Sequence, residues 1–284
     1  MFRFRKIINN HLLLAGLAML MLTACASQPT AYQADEEHSR AYHLAQAAGM
    51  WRAKDYELPR DQSEGLTSAT FDIIAGAASF HSSLGLGLAL GDAAGLSVLS
   101  HMFAPPAQLE RNTVLAWIPS TEAKDKEQAV MALSEALYEA TLAMLSERDI
   151  GYSVEYHDRS RRAVWYPFYE TRINFTYEGK QCVMGYQLFP DQVSDEAPIP
   201  EFIMANQTGY RFWAAHEIRY PVLDVGCPDA DPAEGLRLAS LISERLPEGI
   251  YFYMAPRASA DRLVKSPPML LEKGRPLLFV TPST

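Results

Sequence analysis

The chain has 284 residues, of which 48% are hydrophobic and 21% charged, enough for one sizeable core or a core with a smaller appendage. Its formal net charge is −9, from 25 Lys and Arg against 34 Asp and Glu. That balance argues against a nucleic-acid partner, whose phosphates call for clustered Lys and Arg, and against broad attachment to anionic lipid headgroups.

The first residues carry Arg3, Arg5 and Lys6 and no acid, followed by the short apolar run "HLLLAGLAMLML". A basic head and an apolar run too short for an ordinary membrane span are the pattern of a secretory signal. "LTAC", Leu22 to Cys25, closes the run. It resembles the lipobox of bacterial lipoproteins. The resemblance implies a signal peptide over 1–24, cleavage before Cys25, and lipidation of Cys25 as the first mature residue. Ala26 and Ser27 follow, with no Asp after the cysteine. By the same resemblance this implies sorting to the outer membrane. Losing the three basic residues leaves a mature charge near −12. Several acyl chains, each methylene contributing about 0.8 kcal/mol, would hold the protein at the membrane without a spanning helix.

With Cys25 consumed by lipid, Cys182 and Cys227 remain as an even pair in an oxidising compartment, so a disulfide is expected. It would close a loop worth about 3–4 kcal/mol in the chain-entropy model. The alternative is two buried thiols. Neither Cys-x-x-Cys spacing nor clustered His supports a metal pair at these cysteines.

Residues 25–64 read as the lipidated N-terminus and a polar tether. Within it "AYHLAQAAGMWRA" can form a short helix with Tyr42, Leu44, Ala45 and Ala48 toward one side. His38 and His43 lie five apart, wrong for two ligands on one helix face, and read as solvated.

Residues 65–106 form a Gly-, Ala- and Ser-rich apolar segment, expected to be helical and ended by Pro105 and Pro106. Small residues recur every fourth position from Ala75 through Gly87, Gly91 and Gly95. On a helix they would line one stripe able to take a close neighbour. The pattern resembles the glycine-zipper segments of several outer-membrane lipoproteins, and the resemblance implies packing or membrane contact there. Yet 14 of the 21 residues from 75 to 95 are Gly, Ala or Ser, so composition alone nearly produces the stripe. His81 and Asp92 would be costly at lipid depth. Helices of the soluble part, a membrane-associated or self-packing hairpin, and a strand through "LGLGLALG" all remain open.

Residues 107–284 read as one α+β periplasmic domain, a mainly antiparallel sheet with helices on one face. "NTVLAWIPS" (112–120) is strand-like. Ser120 or Thr121 can cap a helix starting near Glu122, with Val130, Leu133, Leu137, Ala140 and Met144 as its core face and its acids as a solvated face. "YSVEYH" and "AVWYPFYE" read as strands. A hairpin about Gly179 puts Ile173, Phe175 and Tyr177 on one face, and Cys182, Met184, Tyr186 and Leu188 on one face of the next strand. Asp231, Pro232 and Glu234 make a good start for a helix through Leu246. "GIYFYMA" and "RPLLFVTP" finish as strands.

Chemistry is sparse. "GLGLALG" lacks the context of a dinucleotide loop, and no nucleophile elbow, phosphate loop or zinc-protease motif occurs. His157–Asp158 and His216–Glu217 pair imidazole with carboxylate, but successive strand residues face opposite ways, so both read as surface pairs. "DRSRR" (158–162) reads as a hairpin tip or a small contact site for an acidic partner. "YRFWAAHEIRY" is rich in residues favoured at binding hot spots, and equally at home in a core. No metal and no cofactor are expected. The sequence suggests a non-enzymatic, lipid-anchored envelope protein that binds or positions another envelope component or itself. The alternative is an envelope hydrolase with a dispersed site.

Overall fold

The computed structural model describes residues 31–74, 110–163, 166–213, 222–228, 232–258 and 265–283. The fold is α+β with mainly antiparallel sheets. Helix α1 (Arg40–Ala47), strand β1 (Tyr56–Leu58) and helix α2 (Arg60–Ile74) come first. Strand β2 (Thr113–Pro119) and the long helix α3 (Lys126–Glu147) follow. Next come β3 (Tyr152–Ala163), β4 (Tyr166–Tyr177), β5 (Lys180–Leu188), β6 (Ala197–Pro198), β7 (Thr208–Arg211) and β8 (Val222–Gly226). Helix α4 (Pro232–Ser243) leads to β9 (Ile250–Met254), β10 (Arg257–Ala258), β11 (Lys265–Ser266), β12 (Met269–Glu272), β13 (Arg275–Leu278) and β14 (Val280–Pro282).

Two sheets carry the architecture. One runs β13-β12-β9-β2-β7-β6, the other β3-β4-β5-β8. They meet at Asn112, just before β2. Its carbonyl accepts the Leu223 N–H at 3.3 Å, and its side chain accepts the Ala255 N–H at 3.0 Å. Helices α3 and α4 contribute Val130, Leu133, Leu137, Leu238 and Ile242 to a core shared with Val114, Phe252, Ile173 and Met184 of the two sheets. Helix α3 is long and apolar enough to cross a membrane by length and composition, but its apolar face is part of this core.

Two local expectations for this region hold, the core face of α3 and the hairpin about Gly179. The Val130–Met144 stripe is buried, and β4 and β5 pair about a turn in which Glu178 and Gly179 both have positive φ. Two left-handed residues in succession are what a two-residue hairpin turn requires, and glycine is at ease in the second place. The cap of α3 is Asp125, not Ser120 or Thr121. Its carboxylate accepts the Gln128 N–H at 2.8 Å, and a turn occupies 120–122. "DRSRR" is no hairpin tip. It lies within β3, where Arg159 pairs with Glu170 and stacks on Tyr156.

The largest departure concerns residues expected in the polar tether. Residues 40–58 belong to the fold. Helix α1 covers the face of the six-stranded sheet opposite to α3 and α4, with Leu44, Ala45 and Met50 buried among Leu115, Trp117, Tyr251, Tyr253 and Leu270. Ser39 caps it by accepting the Tyr42 N–H, and Asp55 accepts from both the Ser39 amide and hydroxyl at 2.6 Å. Arg40 bridges to Glu272 on β12. His43, expected in solvent, is buried between the Tyr32 hydroxyl and the Asp35 carbonyl. Strand β1 then pairs in parallel with β14, Tyr56 opposite Val280. Helix α2 starts at Arg60, before the expected boundary at 65, and puts Leu66 into the shared core.

The sulfurs of Cys182 and Cys227 form a disulfide. It lies across β5 and the residue after β8, strands already joined at Val183 and Gly226. It thus fastens an existing strand pair at the end that leads into α4. Gly87, Gly91, Gly95 and the rest of 75–109 lie outside the described residues, as do Cys25 and His216–Glu217.

Candidate functional site

Among the described residues, polar side chains with reactive or metal-ligating character converge where α3 crosses β3, β4 and β5. Helix α3 supplies Ser134, Glu135 and Tyr138; β3 supplies His157 and Asp158; β4 supplies Thr171; β5 supplies Tyr186.

The backbone of β3 makes the convergence possible. Tyr156 lies opposite Arg172 and Arg159 opposite Glu170, so His157 and Asp158 together face the single residue Thr171. This is a bulge, and Asp158 takes a φ of 47° within it. The bulge cancels the alternation that would send neighbouring side chains to opposite faces. His157 and Asp158 therefore point to the same side, where strand alternation was expected to send them to opposite faces.

Each member is held from beneath. Thr171 Oγ1 accepts the Asp158 N–H at 3.1 Å and lies 3.2 Å from His157 Nδ1. The His157 ring stacks on Tyr138, centroids 3.9 Å apart. Asp158 Oδ1 accepts a short hydrogen bond from Ser134 Oγ. The Tyr186 hydroxyl donates to the Ser134 carbonyl at 2.8 Å. Burial pushes the Tyr186 phenol far above its ordinary pKa, so it stays a neutral donor. On the solvent side His157 Nε2 lies 3.4 Å from Asp158 Oδ2 and 3.5 Å from Glu135 Oε2.

Ser134, Asp158 and His157 do not form a nucleophilic relay. Such a relay places the imidazole next to an accessible hydroxyl, with the carboxylate behind. Here the carboxylate stands between the two, and Ser134 is fully buried. Sequence reasoning singled out His157 and Asp158 but not Glu135, which it left on the solvated face of α3. A helix residue that meets a strand bulge leaves no mark in local spacing.

A second feature lies near the end of α1. Arg211 Nη1 donates to the Ala47 carbonyl at 2.8 Å, and its guanidinium stacks 3.7 Å above exposed Trp213. Trp51, four residues beyond Ala47, is exposed and carries the Arg52 guanidinium at 4.5 Å. Tyr210 and Phe212 of the same aromatic segment are core residues, so of its described aromatics only Trp213 faces outward. Compared with known proteins, the chain matches no family model, no curated protein and no solved structure.

Proposed function

We propose that the chain is a lipid-anchored protein of the bacterial cell envelope, attached through Cys25 to the outer membrane and facing the periplasm. Its α+β domain serves as a non-enzymatic binding or assembly component. The observation that carries this reading is the run from the basic head through the apolar stretch to Leu22–Cys25. The disulfide between Cys182 and Cys227 supports it, because such bonds persist in oxidising compartments and are rare in the cytosol. Trp51 and Trp213, exposed and backed by arginines, supply the side-chain types that dominate protein-binding surfaces. The stripe at Gly87, Gly91 and Gly95 would pack against another copy or the membrane.

Cys25→Ser tests the anchor. Cell fractionation should move the protein from the membrane pellet to the soluble envelope fraction, and a variant that stays fully in the pellet refutes Cys25 as the sole anchor. The stripe is tested in the same cells. Changing Gly87, Gly91 and Gly95 together to Leu should abolish crosslinked species seen with the unaltered protein. An unchanged ladder removes the stripe from the reading.

A further inference from the structure

We propose that Glu135, His157 and Asp158 form a binding site for a divalent transition cation, Zn²⁺ foremost. The donor atoms of the three residues all lie within 4.8 Å of one another. Ligands about 2.0–2.2 Å from a tetrahedral zinc are separated by roughly 3.3–3.6 Å along each edge. The two edges that meet at His157 Nε2 measure 3.4 Å to Asp158 and 3.5 Å to Glu135. The set is therefore spaced to share a small cation, with the fourth tetrahedral position left to water.

The surroundings fit a metal ligand set better than a chance ion pair. A metal-bound histidine turns its other ring nitrogen to an oxygen acceptor, which fixes the tautomer and the ring. Thr171 Oγ1 is that acceptor for Nδ1, and stacking on Tyr138 holds the ring plane. Asp158 uses Oδ1 on Ser134 and so presents Oδ2, the oxygen nearest His157. Both inner ligands are thus oriented by α3 and β4, while Glu135, more than half exposed, closes from the solvent side and leaves a path for the ion. One imidazole nitrogen with two carboxylates suits a borderline cation such as Zn²⁺ over Ca²⁺ or Mg²⁺, which prefer all-oxygen shells. The bulge in β3 gains a purpose, since without it His157 and Asp158 could not ligate together.

The test is a Zn²⁺ titration of the purified full chain, read by calorimetry and by competition with a chromogenic chelator. About one Zn²⁺ should bind per chain, in preference to Mg²⁺ and Ca²⁺. Glu135→Gln and His157→Gln should each weaken binding by tenfold or more, and Thr171→Val, which removes only the orienting hydroxyl, by roughly tenfold. Glu135 is exposed, so Glu135→Gln keeps the fold, and an unchanged circular dichroism spectrum verifies it. Absence of saturable Zn²⁺ binding overturns the proposal. So does binding that Glu135→Gln and His157→Gln leave unaltered, since the metal would then sit elsewhere.

Discussion

Leu44→Asp is expected to destabilise the domain by more than about 4 kcal/mol, a large part of the 5–15 kcal/mol that holds a typical domain together. Leu44 is fully buried, packed between α1 and the six-stranded sheet with Trp117, Tyr251 and Tyr253. Removing a buried leucine side chain costs about 2–5 kcal/mol by itself. An unpartnered carboxylate in its place adds a desolvation penalty of several kcal/mol or takes up a proton. Leu44→Met, of similar volume, should cost less than about 1.5 kcal/mol. Urea unfolding of the purified variants measures both. A midpoint unmoved by Leu44→Asp would mean that residues 40–47 are a spacer after all.

Gly209→Ala should cost about 3 kcal/mol or more, the upper range for an overpacked core. On β7, a Cβ at this position would stand 2.3 Å from the carbonyl oxygen of Ile118, 2.9 Å from its carbon and 3.0 Å from Ile199 Cδ1. The first two obstacles are backbone atoms of β2, which cannot swing aside as a side chain can. Relief requires β7 to move off β2, at the expense of the bonds from Ser120 N–H to Thr208 and from Phe212 N–H to Ala116. Gly151→Ala is the control, because a Cβ there meets nothing within 4 Å. It should leave the midpoint unchanged or raise it slightly by restricting the unfolded chain. Thermal unfolding of the two variants side by side checks the contrast, and equal midpoints would refute the clash.

Where a residue's surroundings are local, the sequence was readable. The hairpin about Gly179, the faces of β4 and β5 and the core stripe of α3 each follow from a period of two or near four within one element. The disulfide followed from parity and compartment. The helix in "RAYHLAQA" was legible, with Leu44 and Ala45 on one side, but its place in the fold was not, because its partners Leu115, Tyr251 and Leu270 are remote in the chain. A clue lay elsewhere. "TVLAWIP" and "IYFYM" run apolar without alternation, as strands covered on both faces do, and β2 and β9 are buried at every position. The cation site was half visible. His157 and Asp158 stood out as neighbours, but the rule of alternation separated them, and only the bulge with its left-handed Asp158 sets that rule aside.

The parallel pairing of β1 with β14 also orders events in time. A chain delivered from its N-terminus presents Tyr56–Leu58 long before Val280–Pro282 arrives to pair with it. Until then α1 has no completed sheet to cover, because β9 and β12, which carry Tyr251, Tyr253 and Leu270, are also late to emerge. Its apolar side stays uncovered throughout delivery, and contacts between such distant segments are slow to close. The layer made first is thus the last to be sealed. A holding chaperone would find its target in residues 40–58, and a protease that nibbles the chain from Pro282 inward would loosen residues from the opposite end of the chain.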